Sequence, residues 1–137
     1  MPLDKNERDP YVGLQIEDDY VIKEKVNKGK IGVVYKAERS NPKDVLACKI
    51  IPEGKLKTGW QAELNKILRL RGISHVVPYH THGSKHDHNS RQFTYILFDY
   101  IPGNNLKDFI KDSPALLNIA FIEKIAKTVL TVLYACQ

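Results

Sequence analysis

The residues of this 137-residue sequence that could do chemistry begin with two glycines at a predicted hairpin tip. Gly29 and Gly32 lie between two β-rich runs, 20–26 and 33–39. Backbone N–H groups can hold a phosphate chain only where no side chain blocks its approach, so this tip could cover a nucleotide. Two glycines are also typical of an ordinary tight turn, and the loop alone does not decide between the two interpretations.

A lysine and a glutamate are the next candidates. Lys49 lies within an otherwise apolar run, 45–51, which is typical of a central strand. A buried ammonium is costly without a negative partner, so Lys49 either reaches solvent or meets fixed negative charge. Glu63 lies in the first turns of a predicted helix, beside its apolar face, and could supply that charge. The alternative is an edge-strand lysine and a solvent-facing glutamate, since both types are usually exposed.

The elements that must position these residues follow from the spacing of apolar side chains. Gly72 follows one helical pattern at the place of a C-cap, and Pro78 favours an edge or bulged strand. The predicted strands are 20–26, 33–39, 45–51, 76–82 and 93–99, and the predicted helices are 60–71, 106–111 and 117–136. Their order predicts an α+β fold, with a five-stranded antiparallel sheet, one packed helix and further C-terminal helices.

The composition excludes several classes of protein. Hydrophobic residues at 42% and charged residues at 27% are typical of one globular domain and exclude wholesale disorder. No run reaches the roughly 20 apolar residues of a membrane span, and the N-terminus lacks the apolar core of an export signal, so we expect a cytoplasmic protein. Cys48 and Cys136 are too few for a disulfide scaffold. The net charge of +5 permits a polyanionic partner, but the scattered basic residues disfavour nucleic acid.

Four segments, in this order, resemble those of protein kinases. Residues 26–34 (VNKGKIGVV) resemble the glycine-rich loop G-x-G-x-x-G-x-V, and residues 46–49 (LACK) resemble the V-A-I-K strand. Glu63 and the apolar residues after it are similar to the helix that follows that strand. Residues 95–106 (YILFDYIPGNNL) resemble the strand, hinge and helix that hold adenine.

The resemblance implies two catalytic residues, Lys49 and Glu63. Lys49 would contact the α and β phosphates of ATP, and Glu63 would orient Lys49 through an ion pair. Gly29 and Gly32 would let the loop backbone approach the phosphates. Asn27 stands where the family has its first glycine, which narrows that approach.

The resemblance also implies how adenine would be bound. Val34 and Ala47 would pack on the ring, and Phe98 would lie behind it. Backbone groups of Asp99 and Ile101 would bond its edge. The full set of implied nucleotide contacts is Val26, Asn27, Gly29, Gly32, Val34, Ala47, Lys49, Phe98, Asp99 and Ile101.

The implied organisation is a flexible leader over 1–19, a small lobe with its hinge over 20–104, and the first helices of an incomplete large lobe over 105–137. Neither H-R-D nor D-F-G occurs in the sequence. The resemblance therefore implies ATP and Mg²⁺ as cofactors, with the magnesium ligands outside this chain. The complete protein would transfer the γ-phosphoryl of ATP to serine or threonine hydroxyls of a protein substrate, and this chain alone would be inactive. The alternative is a kinase-like module that binds nucleotide or a partner without catalysis.

Two further features of the sequence are a cluster of histidines and a strongly apolar C-terminal helix. His80, His82, His86 and His88 fall within nine residues, so a zinc or nickel site is conceivable, although solvated turn histidines are the alternative and we predict no metal ligands. The helix 117–136 carries more apolar surface than a lone surface helix needs, which predicts a homodimer through this helix.

Overall fold

The computed structural model describes residues 8–17, 19–28, 32–54, 60–103, 106–112 and 118–135, without the side chains of Trp60, Glu63 and Phe109. The strands are β1 (Gln15–Ile16), β2 (Tyr20–Lys28), β3 (Val33–Ser40), β4 (Lys43–Pro52), β5 (Tyr79–His86) and β6 (Gln92–Asp99). The helices are α1 (Trp60–Leu70), α2 (Leu106–Asp112) and α3 (Ile119–Ala135). The strands form one antiparallel sheet in the order β1-β2-β3-β4-β6-β5. The α+β class is confirmed, but the predicted number of five strands was wrong, because the short β1 adds a sixth.

Strand β4 lies in the middle of the sheet, between β3 and β6. Its side chains alternate between the two faces, and Leu46, Cys48 and Ile50 are buried on one of them. The apolar run around Lys49 is therefore a central strand, as the sequence predicts.

Strand β5 is the other edge of the sheet, as Pro78 predicts. It begins three residues later than expected, at Tyr79, and extends to His86. Proline has no N–H to donate to a ladder, and here the Pro78 carbonyl accepts a hydrogen bond from the Asp99 amide at 3.0 Å. Pairing with β6 continues through Gly83 to His86, beyond the predicted end of the strand at residue 82.

One face of the sheet is closed by the segment 8–17, which we call the strap. The buried cluster on that face combines strand residues with Ile16 of the strap, and Tyr11, Val12 and Leu14 pack against it. The Tyr11 ring meets Phe93 edge-on, with centroids 5.2 Å apart. The described part of the predicted leader is thus packed on the sheet, because its apolar side chains complete the core. Residues 1–7 lie outside the described residues.

The helices follow the predicted pattern. Helix α1 buries Leu64 and is followed by Gly72, which has a φ of +82°, the left-handed conformation of a C-cap glycine. Helix α3 begins after Asn118, whose side-chain oxygen accepts the amide of Phe121 at 2.9 Å. None of the described residues of α3 is buried. Among the described helices, none has the length and apolar character that a bilayer crossing requires.

Candidate functional site

Lys49 lies on the face of the sheet opposite the strap. On β4 it is directly opposite Val34 of β3 on one side and Ile96 of β6 on the other. Its neighbours along the strand, Cys48 and Ile50, are fully buried on the strap face. Lys49 is half-buried, and because β4 is central, the alternative of an edge-strand lysine does not hold.

Ala47 and Phe98 form the next row on the same face. Ala47 lies opposite Phe98 across the β4–β6 pairing. Phe98, half-buried, lines a small cavity of about 180 Å³ together with Ile67 and Leu70 of α1. The C-terminal half of helix α1 therefore lies on the Lys49 side of the sheet. Glu63 belongs to this helix, but its side chain lies outside the described residues, so the Lys49–Glu63 ion pair stays a prediction.

The glycine-bearing loop is described only at its two ends, and Gly29 lies outside the described residues. A Cβ at Gly32 would lie 2.3 Å from the carbonyl oxygen of Ile50, so this glycine is required by close packing against β4. Asn27 uses its side-chain oxygen to accept the amide of Lys28 at 2.8 Å. Val26 is half-exposed, in a stretch of β2 where the pairing register shifts.

The predicted hinge is tied to β5 and β3 by contacts that sequence reasoning missed. The Asp99 amide is already bonded to Pro78, and its carboxylate is in hydrogen-bond contact with the Nε2 of His80. The Lys36 ammonium lies over the ring of Tyr100, 5.0 Å from its centroid. Ile101 is exposed. His80 and Asp99 are 19 residues apart and Lys36 and Tyr100 are 64 apart, so these contacts leave no local sequence pattern. Only the strand register could have indicated them.

Three of the four histidines considered for a metal site have separate partners. His80 contacts Asp99, the Nδ1 of His82 is 2.6 Å from the hydroxyl of Tyr79, and the Nε2 of His88 is 2.9 Å from the carbonyl of Val12. The part of the chain that the structure describes contains no group of three or more His, Cys, Asp or Glu that could hold a metal ion.

Three buried or partly buried tyrosines donate their hydroxyls to carboxylates. The pairs are Tyr20 to Asp44 at 2.5 Å, Tyr35 to Asp9 at 2.7 Å and Tyr95 to Glu17 at 2.7 Å. Burial raises the pKa of each tyrosine, and the adjacent carboxylate raises it further. Burial alone raises the pKa of the Cys48 thiol to about 12. The three tyrosine hydroxyls are therefore neutral donors, and the Cys48 thiol stays protonated at neutral pH.

Comparisons with known proteins agree with this geometry. A probable serine/threonine-protein kinase of Dictyostelium discoideum is 30% identical over 98 residues, which are 71% of this chain. The crystal structure of Rad53 1–466 in complex with AMP-PNP superposes on 83% of the chain with a TM-score of 0.66 and 20% identity. PpkA-294 in its apo form superposes on 82% with a TM-score of 0.61 and 19% identity. The resemblance to the protein kinases is confirmed.

The kinase fold extends over most of the chain, but the chain spans only part of each relative. It covers 14% of the Dictyostelium kinase, 30% of the Rad53 chain and 46% of the PpkA chain. No protein-family model matches the sequence. The likeness to kinases is therefore seen both in a partial sequence match and in the fold.

Proposed function

We propose that this chain is the nucleotide-binding small lobe and hinge of a protein kinase, and that ATP binds on the Lys49 face of the sheet. The observation that carries the proposal is the position of Lys49, a cation on the central strand between Val34 and Ile96, on the face opposite the strap. A cation held on a largely apolar surface is suited to a ligand that combines an aromatic ring with phosphates.

The adenine ring would pack between Val34 and Ala47, with Phe98 behind it. Ala47 suits this role because its small side chain leaves room on the sheet between larger neighbours. At the hinge, the Asp99 amide already donates to Pro78, so the carbonyl of Asp99 and the backbone of Ile101 are the groups assigned to the adenine edge.

The phosphates would lie under the glycine-bearing loop, toward Lys49. Val26, Asn27, Gly29 and Gly32 would line the loop side, and the Lys49 ammonium would neutralise the α and β phosphates. Glu63 would orient Lys49. The magnesium ion that the family uses would take its ligands from residues outside this chain.

For the whole protein, we propose transfer of the ATP γ-phosphoryl to serine or threonine hydroxyls of a protein substrate, as the name of the Dictyostelium relative suggests. The 137 residues contain no H-R-D or D-F-G sequence, so we expect this chain alone to have no transfer activity. A second candidate, a kinase-like module without catalysis, is favoured by Asn27, whose side chain occupies the Lys28 amide where a glycine would leave backbone open. Turnover by the full-length protein separates the two.

The test is a calorimetric titration of the chain with AMP-PNP and Mg²⁺. Lys49→Met should weaken binding at least about tenfold, because a charge-assisted contact to phosphate is lost. Lys43→Met is the matched control, since Lys43 is an exposed lysine at the other end of the same strand, and its affinity should equal that of the wild type. Equal binding by Lys49→Met, or no binding by the wild type, would overturn the proposal.

A further inference from the structure

We propose that the strap is a positioning element for the nucleotide face, and that Tyr35 and Tyr95 are the positioning residues through which it acts. The proposal rests on the proposed function for the identity of the ligand. The physical claim is that a segment on the back of the sheet fixes the strands that hold Lys49.

The strap is anchored near both of its ends by tyrosines of the sheet. The Tyr35 hydroxyl of β3 donates to the Asp9 carboxylate, and the Tyr95 hydroxyl of β6 donates to the Glu17 carboxylate, both at 2.7 Å. Hydrogen bonds to a charged acceptor are about twice as strong as neutral ones. The two anchors lie on the two strands that flank β4.

Backbone hydrogen bonds also join the strap to β2 and to the β5–β6 turn. On the β2 side, the Gly13 amide donates to the Ile22 carbonyl at 2.8 Å, and the Ile22 amide donates to the Leu14 carbonyl at 2.9 Å. On the other side, the amide of His88, in the β5–β6 turn, donates to the Pro10 carbonyl at 3.0 Å. The strap is thus fixed to β2 and to the β5–β6 turn as well as to the middle strands.

The register connects these anchors to the nucleotide face. Tyr35 pairs with Cys48, and Tyr95 pairs with Ile50, so the two tyrosines brace the residues on either side of Lys49. Adjacent residues of a strand share one backbone, although their side chains point to opposite faces of the sheet. Because the sheet is closely packed, a shift of Cys48 or Ile50 on the strap face also moves the backbone of Lys49.

The cover over this face comes from the strap. Among the described residues, the members of the apolar cluster that lie outside β2–β6 all belong to the strap. Gly83 leaves room for the Tyr95 ring, because a Cβ at this position would lie 2.4 Å from the Tyr95 hydroxyl oxygen. A loosely held leader would need neither the buried anchors nor this glycine.

The test compares a strap variant with a matched tyrosine variant in the full chain. Tyr35→Phe with Tyr95→Phe removes both anchoring hydroxyls and keeps the rings. Tyr20→Phe is the control, because it removes a similar hydroxyl–carboxylate bond, to Asp44, that involves no strap residue. Each variant is measured at the same denaturant distance below its own unfolding midpoint, so that loss of global stability is matched.

Two readouts are taken, amide hydrogen exchange and AMP-PNP affinity. We expect exchange at Val34, Lys49 and Ile96 to be faster in the strap variant than in the control, and AMP-PNP affinity to fall at least about threefold. Faster exchange confined to the strap, or equal effects in the two variants, would overturn the proposal. If the wild type binds no AMP-PNP, the proposed function fails, and the exchange pattern alone still decides the role of the strap.

Discussion

Gly83→Ala should destabilise the protein because of one side chain, that of Tyr95. A Cβ on Gly83 would lie 2.4 Å from the hydroxyl oxygen, 2.6 Å from Cζ and 3.1 Å from Cε1 of that ring. The buried ring, bonded to Glu17, has to move, which costs about 1–3 kcal/mol as an overpacking effect. Without the clash, alanine in a strand is better than glycine by about 0.5–1 kcal/mol.

The cost of the clash with Tyr95 and the gain from replacing glycine in a strand can be measured separately, because they change the unfolding free energy in opposite directions. In a Tyr95→Val background the ring is gone, so Gly83→Ala should become neutral or stabilising by about 0.5 kcal/mol. Urea unfolding of the four members of the cycle measures both values, with constant m-values as the check that unfolding remains two-state. If Gly83→Ala costs the same in both backgrounds, the ring contact is not the cause and the packing of β5 on Tyr95 is wrong.

Three other predictions concern buried and exposed groups. The folded pKa of Cys48, about 12, lies above the ordinary thiol value of about 8.5. The stability that the buried, protonated thiol contributes is complete below pH 8.5 and falls by about 1.4 kcal/mol per pH unit above it. Cys48→Ala should therefore lose less unfolding free energy than the wild type at alkaline pH. Gly32→Ala should cost about 1–3 kcal/mol in urea unfolding through its contact with the Ile50 carbonyl, and an unchanged midpoint would refute this. The exposed Leu130, Leu133 and Tyr134 of α3 predict self-association in sedimentation, which a monomer at high concentration would contradict.

The sheet and helices could be predicted from sequence because their apolar periodicity is local. The central position of β4 followed from its nearly continuous apolar run, and the end of α1 followed from Gly72. The strap could not be found this way. Its apolar residues at 12, 14 and 16 alternate over too few positions to indicate a strand, and Tyr11 contacts rings that are distant in the sequence, those of Tyr35 and Phe93. The predicted bounds of β5 were also wrong, because its pairing with β6, a separate strand, decides where it begins and ends.

In the candidate site, too, local features could be predicted from the sequence and contacts between distant strands could not. Lys49 could be identified because a lone cation in an apolar strand is conspicuous in the sequence itself. The contacts of Asp99 with His80 and of Lys36 with Tyr100 depend on register across several strands, so no short motif indicates them. The role of Gly32 in phosphate approach stays a prediction, whereas the constraint observed on Gly32 is its close contact with β4.

The most direct measurement of the central claim is an NMR titration of the isotope-labelled chain with AMP-PNP and Mg²⁺. Binding on the Lys49 face predicts that the largest amide shift changes occur at Val34, Ala47, Lys49 and Ile101, with smaller changes in the strap and in α3. Saturating shifts that cluster in the strap or in α3 instead, or no shifts at all, would contradict the account.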